Sequence, residues 1–276
     1  MSGNYDKIVK LYHTYKDDEN LLKIFYANDY PIPFKSLLLK PIKVDMALFF
    51  ELFSQCLLLP HLTSGDVKAI SMSYLKYLCY LGTEKGKTEH LVCLIELLKM
   101  VLDIDDKYID SNGIEKSAID IDIEKGLLII KGEIFNGNDF DKMRKIILEQ
   151  NGVEVPDETI NANLLRVYNE NKEFEARHSS LKMCSFEDQI NIVVAMTGYK
   201  RNEVLDMTLR SFTRLFARID KIMSYEIMSL LSPYIDEKKN GKIGHYAESI
   251  DKTLKERIEG EMIADSAYKK KWGQDN

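Results

Sequence analysis

Apolar side chains recur at helical spacing over most of the chain. Ile8, Leu11, Tyr12 and Tyr15 share one helical face, and Leu21, Leu22, Phe25 and Tyr26 repeat the pattern after the polar break Asp17 to Asn20. Two short helices are predicted. Pro31, Pro33 and Pro41 then bracket PIPFKSLLLKPIKV. Proline removes an amide donor and biases the residue before it away from helix, so this stretch is expected to be extended. Asp45 is the expected N-cap of an apolar helix running to Leu59, where Pro60 stops it. Asp66 is the expected N-cap of VKAISMSYLKYLCYL, which Gly82 is expected to end, and residues 88–102 supply a further helix.

From Ala118 the period shortens to two. AIDIDI alternates apolar with acidic, Lys125-Gly126 supplies a turn, and LLIIKGEIF continues past a second bend at Gly132, the pattern of a β-hairpin. Asn138 is expected to cap DFDKMRKIILEQNG, with Phe140, Met143, Ile146 and Ile147 on one face and Asn151-Gly152 at the end. A polar helix is expected over roughly 158–177. Ser185 opens a capping box with Asp188 for a helix over 186–197, and Gly198 ends it. A longer amphipathic helix then runs to about Met223, burying Val204, Met207, Phe212, Leu215, Phe216 and Ile219, and is extended by Tyr225 to Leu231 until Pro233. The fold class is therefore mainly α (α+β), a multi-helix protein with a small β-hairpin plus helix (ββα) insert. Its expected regions are a helical part with an extended Pro-rich lead-in (1–102), an acidic connector (103–117), the ββα module (118–155), a helical hairpin (156–235) and a charged tail (236–276) with a weak helix near 246–263.

Composition narrows the function. With 45% hydrophobic residues in 276 the chain can fill a core. Lys and Arg number 38 against 44 Asp and Glu, a net charge of -6, which disfavours tight sequence-independent binding to nucleic acid. The most apolar run, Ala47 to Pro60, includes Glu51 and Gln55 and falls short of the roughly 20 apolar residues of a membrane span; no membrane association is expected. The start, MSGNYDKIVKLYHTYKDDEN, lacks the basic and apolar regions of a secretory signal, so a cytosolic product is expected. Cys56, Cys79, Cys93 and Cys184 have no CxxC spacing and are expected as free thiols. Asp103 to Glu124 is acidic enough to read as a solvated connector. A calcium loop beginning at Asp103 would need a glycine at its sixth position and a glutamate at its twelfth, and neither is there.

No residue pattern names a reaction. His90 and Cys93 stand at ligand spacing on one helix, but zinc needs two more ligands brought in by folding. GxSxG, HExxH, GxGxxG, a Walker loop and the deaminase HxE with PCxxC are all missing from the sequence. The chain is expected to be non-enzymatic, with no catalytic residue, cofactor or metal assigned. Arg210, Arg214, Arg218 and Lys221, at i, i+4, i+8 and i+11, lie on one helical face. They suit a solvent-facing row or a docking strip for an acidic protein. Following Gly198, they also suit the recognition helix of a helix-turn-helix, with Arg201 and Asn202 placed to read bases. Trp272, beside Lys269 to Lys271, is a candidate partner anchor.

Three blocks carry a family resemblance: PIPFKSLLLKPIKVDMALFFELFSQCLLL, GLLIIKGEIFNGNDFDKMRKIILEQNG, and LKMCSFEDQINIVVAMTGYKRNEVLDMTLRSFTRLFARID. Together, over about 30–220, they resemble tail-module proteins of phages and prophages of Gram-positive bacteria, the tail assembly chaperones or minor tail proteins. The resemblance implies a non-enzymatic, helix-rich factor of the host cytoplasm without a cofactor, which binds the tape measure protein and helps tail-tube proteins assemble around it. The acidic connector and the ββα insert depart from the shorter chaperones and leave room for a structural tail or baseplate component of the virion. A helix-turn-helix DNA-binding regulator is the second alternative. A chaperone of this kind would present an apolar helical surface, and the helices at 45–59, 67–81 and 89–102 are apolar enough to leave one uncovered.

Overall fold

A computed structural model describes residues 2–14, 18–62, 66–157, 160, 167–168, 170–171, 184–231, 245–251 and 255–260. The fold is α+β, with helices joined by short antiparallel sheets. The chain divides into two compact units, Met1–Pro156 with Leu205–Phe212, and Asp157–Val204 with Thr213–Asn276.

The first unit opens with α1 (Ser2–Thr14) and α2 (Glu19–Ala27). The Asp18 carboxylate accepts the Asn20 N–H and so starts α2 at the expected polar break. The proline-bracketed segment is a hairpin of β1 (Ile32–Phe34) and β2 (Leu37–Leu39), with Ile32 opposite Leu39. A 3-10 turn (Val44–Met46), α3 (Ala47–Ser54) and a second 3-10 turn (Gln55–Leu57) follow. Asp45 sits inside the first turn and caps nothing; the preceding strand-like stretch forms an isolated bridge between Lys43 and Thr208, which fixes where helix can begin.

The expected helix from Asp66 is two helices. Asp66 caps α4 (Val67–Ile70), and after a break Ser73 caps α5 (Tyr74–Glu84). Gly82 does not end α5. It lies buried within it, where an added Cβ would stand 3.0 Å from Leu91 Cδ1 of α6 (Glu89–Leu102); the glycine permits close helix approach. The region expected as an acidic connector contains a hairpin of β3 (Lys107–Ile109) and β4 (Glu115–Ser117). Its turn is built by the Asp110 carboxylate, which accepts the N–H groups of Asn112 and Ile114.

The next strands, β5 (Ile119–Asp122), β6 (Leu127–Ile130) and β7 (Glu133–Phe135), form a three-stranded antiparallel meander. The hairpin expectation omitted its third strand. Lys131 and Gly132, both with positive φ, make the two-residue β6–β7 turn. α7 (Gly137–Gln150) is capped by Asn136 in a reciprocal capping box with Asp139, two residues before the expected Asn138.

The meander and α7 share one core with the N-terminal helices. Phe25, Ile32, Phe50, Leu75, Leu97, Leu128, Phe135 and Phe140 all belong to it. Buried Asn151, at the end of α7, accepts the Ile42 N–H through Oδ1 and donates to Ile147 O, while buried Gln150 donates to the Leu39 carbonyl. These amides tie the extended 39–42 stretch to α7.

In the second unit, α8 (Phe186–Thr197) follows its capping box at Ser185 and stops at Gly198, whose φ is +75°. The helix expected to run unbroken after Lys200 is α9 (Arg201–Leu205), a break, then α10 (Leu209–Leu231), of which Leu205–Phe212 belongs to the first unit. The break arises because Val44 N–H donates to Met207 O and Leu209 N–H to Ile42 O, which takes the backbone at 207–209 out of helical pairing. Ile190, Val193, Ile219 and Ile258 are buried here. The predicted helix at 158–177 falls almost wholly outside the described residues. Of the predicted tail, 245–251 is turn and bend and 255–260 is helical.

Candidate functional site

The cationic row divides between the two units. In the first, α7 has no basic residue in its last turn, and Arg210 supplies one from elsewhere in the sequence: its guanidinium donates to the Glu149 carbonyl at 2.7 Å and lies 5.3 Å from the Tyr26 ring. A cation there complements the negative end of the helix. The Tyr26 hydroxyl donates to Glu149 at 3.0 Å, and burial, reinforced by Glu149, holds its proton well above the ordinary range.

In the second unit, Arg214, Arg218 and Lys221 of α10 meet residues 245–251. Arg214 pairs with the Asp251 carboxylate. Arg218 donates to the carbonyls of Tyr246 and Glu248, the latter at 3.1 Å. Lys221 reaches the carbonyls of Ser249 at 3.0 Å and Glu248 at 3.3 Å. One turn further along, Tyr225 stacks edge-on against His245 and Tyr246, with ring centroids 5.2 and 5.3 Å away. The segment makes its own turn: the His245 N–H donates to the Glu248 carboxylate, and the Ala247 N–H to His245 Nδ1. Arg201, the proposed base reader, bonds Asn191 and pairs with Glu187. Trp272 lies outside the described residues.

An apolar surface belongs to the first unit. Phe50 of α3 is buried where the helix packs on α6, but Leu48, Phe49 and Leu52, at i, i+1 and i+4, are 64%, 53% and 60% exposed. Phe49 stacks on Phe53 with centroids 6.3 Å apart. An eight-residue helix that is apolar nearly all round has one face more than this core can cover. The signal was in the sequence, since Ala47 to Phe50 holds no polar residue to mark a solvent face.

After α3, residues 56–60 and Asp66 are held by side chains from α5 and α7. The Tyr74 hydroxyl accepts the Leu59 N–H at 2.9 Å and donates to Cys56 O; Tyr77 donates to Pro60 O; Tyr80 donates to Asp66. Arg144 donates to Leu57 O at 2.7 Å with its guanidinium 3.7 Å over the Tyr74 ring. Next to it, Asp66, Ala69, Tyr77, Tyr80, Lys85 and Lys87 line a shallow cleft. The ionisable groups there serve packing: Asp66 is held below the ordinary carboxylate range first by the Tyr80 hydroxyl. Burial pushes the Cys56 thiol up to about 12, so it is no nucleophile at neutral pH. Three acids of 103–110 pair with lysines, Asp103 with Lys40, Asp106 with Lys99 and Asp110 with Lys116.

Among the described residues no three His, Cys, Asp or Glu side chains are grouped to hold a metal, and no helix is long and apolar enough to cross a membrane. Residues 175–251 match the family described as the YomV second domain, a domain type associated with phage and prophage proteins. No curated protein and no solved structure matches the chain. The match ends at Asp251, the residue that pairs with Arg214, so the segment on the cationic face falls inside the matched domain.

Proposed function

We propose that this chain is a non-enzymatic interaction protein of phage morphogenesis: a tail assembly chaperone that binds the tape measure protein in the host cytoplasm while tail-tube subunits assemble around it. The observation that carries the reading is the uncovered apolar face of α3, Leu48, Phe49 and Leu52, held on a rigid base by α6. An amphipathic client helix would lay its apolar side there. The phage association of the domain matched at 175–251 is consistent with it. A DNA-binding role finds less support, because Arg201, the expected base reader, bonds Asn191 and pairs with Glu187.

The test is co-purification of the tagged chain from phage-producing cells, together with mass spectrometry of purified virions. The reading expects a long helical protein to co-purify and the chain to be missing from virions. Stoichiometric presence in virions would instead identify a tail or baseplate subunit. Leu48→Glu with Leu52→Glu is expected to abolish co-purification while shifting stability by no more than about 0.5 kcal/mol each, as exposed positions do; undiminished capture would remove α3 from the proposal.

A further inference from the structure

We infer that residues 245–251 are a displaceable strap over a peptide-binding face of α10, and that this face takes an extended acidic segment of a partner protein once the strap leaves. The strap displays the recognition. Arg218 and Lys221 read main-chain carbonyls of Tyr246, Glu248 and Ser249, which any extended peptide offers, and Arg214 reads one carboxylate. The strap runs antiparallel to the helix, with Asp251 at Arg214 and His245 at Tyr225. Among the described residues it brings two acids, Glu248 and Asp251, to three cations, and an acidic partner can bring more.

The strap is held by contacts that exchange readily. Arg214 and Asp251 are 41% and 62% exposed and Glu248 is 52% exposed, and such exposed pairs contribute little net stability. The strap lies inside the matched domain, residues 175–251. An acidic peptide is favoured over nucleic acid as the occupant, since the observed ligand is a carboxylate with peptide carbonyls, which nucleic acid does not offer.

The inference builds on the interaction-protein reading only in calling the ligand a partner, and it concerns a different unit from α3, so either can fail alone. The test uses the full chain and a fluorescein-labelled deca-glutamate peptide, read by anisotropy. Glu248→Ala with Asp251→Ala is expected to bind the probe about tenfold or more tightly than the unaltered chain, since a covered site loses affinity in proportion to the time it is covered. Adding Arg214→Ala, Arg218→Ala and Lys221→Ala is expected to abolish that binding. Equal affinity with and without the strap acids would overturn the inference, as would probe binding that survives loss of the three cations. Tighter binding of a labelled DNA duplex than of the peptide would reassign the face to nucleic acid. Loss of helical circular dichroism in the strap variant would make the strap a structural element and also overturn it.

Discussion

Gly137 offers a quantitative test of how α5 and α7 are fitted together. It is the first residue of α7, and a Cβ built on it would stand 2.4 Å from both Cβ and Oγ of Ser73, the N-cap of α5. Carbon atoms meet comfortably at about 3.5–4.0 Å, so the overlap exceeds 1 Å by subtraction. Rotating Ser73 moves its hydroxyl but not its Cβ, which leaves only a shift of one helix. That shift is resisted by the stacking of Tyr74 on Phe140, with centroids 6.5 Å apart, and by Arg144 over Tyr74. Overpacking of this kind costs about 1–3 kcal/mol, while replacing a helical glycine by alanine returns about 0.5–1 kcal/mol. Gly137→Ala is therefore expected to destabilise by about 1 kcal/mol, within the range of about 0–2.5 kcal/mol that the difference between those two allows. Ser73→Gly removes the obstructing atoms and, as glycine is a tolerable N-cap, costs only about a few tenths of a kcal/mol. The double variant should recover most of the loss, a coupling of about 1 kcal/mol between touching residues. Urea unfolding followed by circular dichroism measures all three. A Gly137→Ala chain as stable as the original, or one that Ser73→Gly fails to rescue, would refute the steric argument.

Tyr74→Phe leaves the Leu59 N–H without its acceptor and is expected to cost about 1–3 kcal/mol in the same assay; an unchanged midpoint would mean that water replaces the hydroxyl. Exposed Cys184 should react with Ellman's reagent in the native chain at pH 8, whereas buried Cys56 and Cys79 should react only on unfolding; simultaneous reaction of all four thiols would contradict the burial. The Cys56 thiol ordinarily titrates at 9.0 and in the fold at about 12, so the unfolded chain releases that proton first. Its contribution is complete below pH 9 and lost as pH rises through about 12, with a slope of up to about 1.4 kcal/mol per pH unit for one proton; buried Tyr26 and Tyr74, also raised, add to the loss at higher pH. Flat stability across that range would refute it. A fragment of residues 157–276 is expected to express as a poorly folded, aggregation-prone chain, for it keeps Leu205–Phe212 without the unit that this segment packs into; a soluble, cooperatively melting fragment would show that it folds without that unit.

Elements bounded by strong local signals were legible in the sequence. Ser185 with Asp188 and then Gly198 delimit α8 through bonds made within a few residues of each end. Asn151-Gly152 ends α7 in the same way, with the Gly152 and Val153 N–H groups returning to Glu149 and Leu148. The features missed depend on distant partners. Asp45 has the chemistry of an N-cap, yet the neighbouring backbone is committed to residues 207–209, more than 150 positions away. The same pairing breaks the helix between Leu205 and Leu209, a stretch whose local sequence gives no reason to stop. Gly82 has the local chemistry of a helix terminator, but its role here is set by Leu91 on another helix. The cationic row shows the same division. Spacing put Arg214, Arg218 and Lys221 on one face, but only the fold brings an irregular segment about 30 positions away onto them.

The split of that row has a consequence for how the C-terminal half works. Arg210 and Arg214 are one helical turn apart, and a sequence reading treats them as equivalent charges. Arg210 is anchored by the Glu149 carbonyl, while Thr208 and Ser211 on either side of it donate to the Asp29 carboxylate, each at 2.7 Å. Phe212, buried to 1% exposure, adds an apolar anchor in the same turn. The start of α10 is thus fixed by bonds that half-buried groups make to the first unit's own residues. From Arg214 onward the cations meet only exposed strap atoms, and Met223, Ile227 and Leu230 beyond them are exposed as well. A single helix therefore carries a firmly held base and a loosely covered arm. If the strap exchanges as inferred, the exchange is confined to the arm, because the base has part-buried polar bonds to lose and the arm does not. That difference, and not the sum of four positive charges, separates Arg214, Arg218 and Lys221 from Arg210.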